Sequence, residues 1–395
     1  MVLDEEFIWI KENHSFFDIS KKSTTIKWTE KPYVDFKNLS VAYFECARKV
    51  CEEILDHPDD NAKCDTWFFP AVYMFRQSLE LLLKALICKE IKRKREIQDI
   101  FERCKHNLWL LFGTYKSSND NMLINIEESA WLEDYLKSIE TVDEKSDLFR
   151  YPFTEDFFQI YKDKFFDIAD MGNAFLMANT VLSKCDTGIE NEDIIEIDTK
   201  MPTEFIRYAG HGYGNCYIWT SIKKNDFYAQ VTGYNRVAEF LFKQLQEVDI
   251  AIESYPIIFL LRNAIELGLK RVLYSNTQIR VENHKIYSIR NSHLLYKDLW
   301  KNISGMLEHY AAEKDEDLNS LKLFDKYVKE LSLIDKKGDI FRYPCSYSAE
   351  YKFNNKPIDI DNVYRWMQGM FQLLDGCDSM LDSIADYESD MNSNW

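Results

Sequence analysis

One segment of this chain occurs twice, and that repetition limits what the chain can fold into more than any other feature. Pro70-Ala-Val-Tyr-Met-Phe-Arg-Gln-Ser-Leu-Glu-Leu-Leu-Leu-Lys84 returns as Pro256-Ile-Ile-Phe-Leu-Leu-Arg-Asn-Ala-Ile-Glu-Leu-Gly-Leu-Lys270. Downstream, His106-Asn-Leu-Trp-Leu-Leu is followed by Asp143 and Phe149-Arg150-Tyr151-Pro152. The second copy has His293-Leu-Leu-Tyr-Lys-Asp-Leu, then Asp335 and Phe341-Arg342-Tyr343-Pro344. Flanking anchors keep the same order: Trp28, Asp35-Phe36 and Tyr43 against Trp219, Asp226-Phe227 and Tyr234, then Asp167-Ile168 and Cys185-Asp186 against Asp359-Ile360 and Cys377-Asp378. Glu6-Phe7-Ile8 pairs more loosely with Glu204-Phe205-Ile206. Chance does not keep this many anchors in register, so the chain is a tandem duplicate. Unit one spans 1–187, an acidic linker 188–202, unit two 203–385, and a polar tail 386–395 is expected to fray.

Two units of this size suit a chain of 395 residues. Glycine (12) and proline (8) are scarce, which favours helices over a turn-rich β architecture. Apolar residues recur at helical spacing through 39–56, 67–90, 121–141 and 157–184, and again through 228–247, 254–275, 305–334 and 359–385. The expectation is all-α, with four or five helices per unit. Gly210-His-Gly-Tyr-Gly214 lacks the strand before and the Lys-Ser/Thr after that a phosphate loop needs, and reads as a flexible connection. No stretch has the length and apolarity of a membrane span, and no leader pattern opens the chain, so it reads as cytoplasmic, with no membrane partner. The nine cysteines form no C-x-x-C pair, and Cys104 with His106 lacks a second ligand pair for zinc. Neither a metal nor a cofactor is implied.

The formal charge of −17 argues against a nucleic-acid-coating surface, although it leaves room for a local basic pocket. The basic run Lys92-Arg-Lys-Arg95 occurs in one copy only; it reads as a solvated helix end, with a phosphate contact as the other reading. On a helix, Arg76, Glu80 and Lys84 share a strip of about 80°. Phe75, Leu79, Leu82, Leu83 and Leu86 cover most of the remaining circumference, so the helix is expected to be central. Desolvating an unpaired ion costs several kcal/mol, against the ~0.3–0.5 kcal/mol of an exposed i,i+4 pair. Glu80 can satisfy one of its neighbours, and the leftover cation needs Asp143, a backbone carbonyl or an anionic ligand. Two readings follow: a buried ion network that fixes helix register, or a ligand site.

The order Arg-x-x-x-Glu-x-x-x-Lys on an apolar helix, then His-x-Leu-x-x-Leu, then Arg-Tyr-Pro and a final helix resembles the HEPN family. The likeness rests on Arg76, Glu80, Lys84, His106, Leu108, Leu111, Arg150, Tyr151 and Pro152, and on Arg262, Glu266, Lys270, His293, Leu295, Arg342, Tyr343 and Pro344. It covers most of both units. The resemblance implies two tandem four- or five-helix bundles packed as an intramolecular pseudo-dimer, with further homo-oligomers open to it. It also implies an antiviral-defence or toxin–antitoxin context, with a nucleotide, an RNA or a protein from a defence operon as partner. HEPN ribonucleases carry an Arg-x4–6-His motif, which this chain lacks; Arg207…His211 and Arg280…His284 have only three residues between. The leading expectation is therefore a non-catalytic module binding an anionic ligand or a partner protein through Arg76, Glu80, Lys84, Arg150 and Tyr151 and through Arg262, Glu266, Lys270, Arg342 and Tyr343. The alternative is a metal-independent endoribonuclease in which His106 and His293 act as acid and base.

Overall fold

A computed structural model describes residues 8–20, 23–119, 122–151, 160–187, 197–218, 228–245, 250–276, 292–313, 318–351 and 353–393. Most of them are helical. The first unit holds α1 (Pro32–Asp56), α2 (Asn61–Glu90), α3 (Lys94–Cys104), α4 (Leu108–Ser118), α5 (Ile126–Asp143) and α6 (Ile168–Thr187). The second holds α7 (Tyr228–Gln244), α8 (Ile250–Asn276), a π-helical turn (Leu295–Trp300) running into α9 (Lys301–Glu313), α10 (Leu318–Ile334) and α11 (Ile360–Ser393). Unit one thus has more helices than the four or five expected. The helix expected over 305–334 is split between α9 and α10, and the tail expected to fray continues α11 as far as Ser393.

The all-α expectation also misses two small antiparallel sheets. β1 (Thr24–Ile26) pairs with β5 (Lys356–Ile358), and β2 (Phe165–Asp167) lies between β3 (Tyr208–Ala209) and β4 (Asn215–Tyr217). Segments this short carry too little alternation to stand out from helical spacing; the stretch expected to be one helix over 157–184 is helical at 160–161, is then interrupted by β2, and resumes as α6 at Ile168. The Gly210–Gly214 stretch, expected to be a flexible connection, is the turn joining β3 to β4. Gly214 takes a positive φ of 77° there, and its N–H donates to Pro58 O at 2.8 Å.

The sheets expose a reciprocal exchange. By the Trp28/Trp219 alignment β1 corresponds to β4, and by Asp167/Asp359 β2 corresponds to β5. Each unit's leading strand therefore pairs with the strand before the other unit's last helix. The arms around these strands cross as well. Lys11 N–H donates to Tyr327 Oη at 3.1 Å, and Phe16 packs on Phe341 and Trp366. In the other direction Trp131 Nε1–H donates to Met201 O at 2.7 Å, and Phe205 packs on Phe149 and Phe175. Phe205 thereby corresponds to Phe16; the looser match to Phe7 falls on residues outside those described.

α2 is buried from Phe68 to Cys88, with Asp60 Oδ1 accepting from Lys63 N–H at its start. α1 lies along α2 and α7 along α8, while α2 also packs on α7 and α1 on α8. Pro70 sits inside α2 and cannot donate to the carbonyl four residues back, which is that of Thr66. A Cβ added at Gly233 of α7 would stand 2.0 Å from that same oxygen. Pro70 and Gly233 together let the two backbones approach where the units meet.

Candidate functional site

In each unit an arginine, a glutamate, a lysine and an aspartate that the two copies share gather beside one histidine. In the first, Arg76 Nη2 donates to the backbone carbonyls of His106 and Asp143, both at 3.0 Å. Its Nε lies 3.2 Å from Asp143 Oδ2, an ion-pair contact. The other oxygen, Asp143 Oδ1, accepts from the N–H groups of Asp147 and Leu148 at 2.9 Å each, folding the turn that leads into Phe149-Arg150-Tyr151. Ser146 takes a positive φ of 55° in this turn, and Gly338 takes 76° at the matching place. The six-residue spacing from Asp to Phe is therefore the length of a carboxylate-capped turn.

Glu80 is the hub. It accepts from Lys84 Nζ at 2.7 Å and from Tyr343 Oη–H at 2.8 Å, and it lies 3.1 Å from His106 Nδ1 and 3.5 Å from Arg76 Nη1. Tyr343 comes from the other unit, and its ring covers Lys84 Nζ at 4.5 Å. Burial alone would raise the Glu80 carboxyl, but Lys84, His106 and Arg76 hold it well below the usual carboxylate range. Burial lowers the His106 imidazole below its ordinary value, against the pull of Glu80. The ring is then neutral at neutral pH, with Nδ1–H directed to the carboxylate and Nε2 left as an acceptor. No hydrogen bond reaches Nε2 from the described residues. His106 is 27% exposed in its side chain, whereas Arg76, Glu80 and Lys84 are fully enclosed.

The second unit repeats the arrangement. Glu266 accepts from Lys270 Nζ at 2.7 Å and lies 2.9 Å from His293 Nδ1, with Arg262 Nη1 bonded to its other oxygen. Arg262 Nη2 donates to His293 O at 3.2 Å, and its Nε faces Asp335 Oδ2 at 3.5 Å. Tyr151 crosses from the first unit, its ring 3.9 Å from Lys270 Nζ and 5.3 Å from the His293 ring. Matching carbonyls are tied across as well: Tyr43 Oη–H donates to Phe341 O at 2.9 Å, and Tyr234 Oη–H to Phe149 O at 3.2 Å.

Arg342 and Arg150 lie where the units meet. Arg342 Nε donates to Tyr73 Oη at 2.8 Å and Nη2 to Gln77 Oε1 at 3.3 Å; Arg150 Nε donates to Ser146 O at 3.0 Å. Both guanidiniums lie within 6 Å of the Tyr73 ring, which stacks on Phe259, its own counterpart, at 4.8 Å. Arg76, Lys84, Arg150, Arg262, Lys270 and Arg342, expected to face an anionic ligand, are all buried. Arg76, Lys84, Arg262 and Lys270 each pair with a buried carboxylate. Of unit one's cluster and its visiting tyrosine, only His106 and Tyr343 line an open cleft, of about 400 Å3, between α3 and the 339–353 segment.

Sequence reasoning found the Arg–Asp pairing but not the crossing tyrosines as Glu80 and Glu266 partners, nor Tyr73, Gln77 and Glu140. Glu140 lacks an acidic counterpart, since Ser332 stands at that place, so the copy comparison filtered it out. His106 is not the N-cap of α4; Asn107 is, accepting from Leu110 N–H at 2.8 Å. Arg207 is buried against Asp170, and His211 meets Phe165 edge-on, so they do not form a site together. Arg280, His284 and Pro152 lie outside the described residues. Lys92–Arg95 is exposed where α3 begins. Among the described residues no group of His, Cys, Asp and Glu is arranged to hold a metal, and no helix is long and apolar enough to cross a membrane. Comparisons with protein-family models, curated proteins and solved structures each find no match.

Two tests bear on the network itself. Tyr343→Phe removes one donor to Glu80, and the expected loss is about 1 kcal/mol in urea unfolding. The same change should shift the His106 ring signals in NMR although the substitution lies in the other unit; unchanged signals would refute the crossing contact. Glu140 accepts from Leu108 N–H at 2.7 Å and Arg76 Nη2 at 3.3 Å, but its Oε2 is buried without a donor. Burial pushes its carboxyl up to about 7, against the pull of Arg76. The folded value lies above the unfolded one, so the stability tied to this proton is full below the ordinary glutamate value and is lost as pH rises through about 7. Glu140→Gln should remove about 3 kcal/mol of that pH-dependent loss, seen as a flatter stability profile between pH about 4.5 and 7 than the wild type's.

Proposed function

We propose that the chain is an intramolecular pseudo-dimer of two HEPN-like bundles and acts as a non-catalytic binding module. Its ligand occupies the cleft floored by His106 and Tyr343. One observation carries this reading: the buried carboxylate of Glu80 holds an imidazole of its own unit and a tyrosine of the other unit where both line one cleft. A network serving only to fix helix register has no need to present a ring edge to solvent. The resemblance to HEPN proteins adds the defence or toxin–antitoxin setting.

The endoribonuclease alternative draws support from the Glu80–His106 pair, since a carboxylate behind an imidazole suits a general base. Among the described residues it has no exposed cation beside His106 to stabilise a phosphorane, because Arg76, Lys84 and Arg342 are enclosed. Incubating total RNA with wild type and with His106→Ala/His293→Ala separates the readings: no histidine-dependent cleavage is expected, and such cleavage would overturn the non-catalytic reading. For binding, thermal shifts with nucleotides, oligonucleotides and peptides should be compared between wild type and Ser348→Trp, which fills the cleft. A stabilising ligand that loses its effect in the variant is expected. Identical shifts in both proteins would remove the cleft from the function.

A further inference from the structure

We infer that the cleft is a receptor for an aliphatic cation, a guanidinium or ammonium group on an alkyl stem; this rests on the cleft being the ligand site. Its walls carry the rings of Tyr255, Tyr343, Tyr347 and Phe353, and its rim carries Glu102, Asp339 and Glu350. No lysine or arginine is among the described residues lining it. The polar groups of the floor point the same way. Tyr343 spends its proton on Glu80, and the His106 Nδ1 edge is turned to the same carboxylate, so His106 offers the cleft an acceptor. Ser346 and Ser348 bond each other at 2.9 Å.

Carboxylates and a nitrogen acceptor suit a cationic head, and the rings suit its hydrocarbon stem, since those of Tyr343 and Tyr347 already carry Lys84 Nζ at 4.5 and 5.2 Å. Among the described residues lining these walls, a phosphate would find no donor cation and several carboxylates against it. The cleft also has a polarity. Gln98 and Glu102 line the cleft one turn apart on α3, and Lys94 stands one turn before them, outside the lining. Lys94 bears electrostatically on Cys345 at one end, and Asp339 lies 3.7 Å from Arg342 Nη1. The cationic head therefore belongs at the Glu102 end, and its stem lies along the rings.

The cation can belong to a small amine or to the side chain of a basic peptide, and titration calorimetry with the full chain tells them apart. The probes are spermidine, arginine amide, an Arg/Lys hexapeptide, and a uridine hexanucleotide as the anionic comparison. Cations are expected to bind, and Glu102→Gln/Asp339→Asn/Glu350→Gln is expected to weaken them at least tenfold. A second triple variant removes the same charge from exposed positions elsewhere, Glu127→Gln/Asp382→Asn/Asp386→Asn, and should bind as wild type does. Equal weakening by both variants would mean that the overall charge of −17 attracts the cation, and would overturn the assignment. Binding of the hexanucleotide instead, abolished by Ser348→Trp, would overturn the cation class while keeping the cleft as the site. No cleft-dependent binding of any probe would overturn both. A peptide that binds where the free amines do not assigns the cation to a protein partner, and the reverse assigns it to a small molecule.

Discussion

Glu80→Gln is expected to cost about 3–5 kcal/mol of unfolding free energy, measured in urea by far-UV circular dichroism at neutral pH. The amide keeps the shape of the carboxylate but removes the only negative charge bonded to Lys84 Nζ among the described residues, on a lysine that is fully enclosed. It also weakens the hold on His106 and on the hydroxyl of Tyr343 from the other unit. Glu266→Gln should behave alike, because Lys270, His293 and Arg262 meet at that carboxylate in the same way. Lys84→Met should cost much less than Glu80→Gln: the carboxylate left behind still faces Arg76, His106 and Tyr343, and the new side chain is apolar in a buried place. A loss below about 1 kcal/mol for Glu80→Gln would mean that the buried network is not ionised as its geometry implies.

Gly233→Ala is expected to cost about 3 kcal/mol, near the upper end for overpacking, because the added methyl meets a backbone oxygen rather than a movable side chain. The new Cβ would lie 2.0 Å from Thr66 O, so α7 must move off α2. Hydrogen exchange should then speed up in both helices at once. The control is Gly305→Ala, where an added Cβ meets nothing within 4 Å; it should be neutral or slightly stabilising in α9. Equal effects from the two substitutions would refute the close approach.

Copy comparison selected the residues that matter and misjudged what most of them face. Arg76 was legible as a cation in need of an acceptor, and the acceptors are the carboxylate and carbonyl of Asp143 and the carbonyl of His106. It was not legible that these partners leave no nitrogen for a ligand. Burial depends on which helices cover the strip, and the strip itself carries no information on that. Tyr343 read as a ligand contact beside Arg342. Its hydroxyl partner, Glu80, is remote in sequence and belongs to the other copy.

By itself the sequence determined the duplication, the helical build, the central place of α2, and the need of its charges for partners, since those follow from spacing and from the cost of a desolvated ion. Only the tertiary structure decided that partners are exchanged between units. β1 pairs with β5, β2 with β4, Tyr343 closes on Glu80, and Tyr151 on Lys270. The physical reason lies in the repeat. Two copies carry the same anchors, so a pairing within a unit and one across units offer similar contacts. The choice between them rests on connection geometry and close packing, such as that of Gly233 against Thr66, which no spacing of residues reveals.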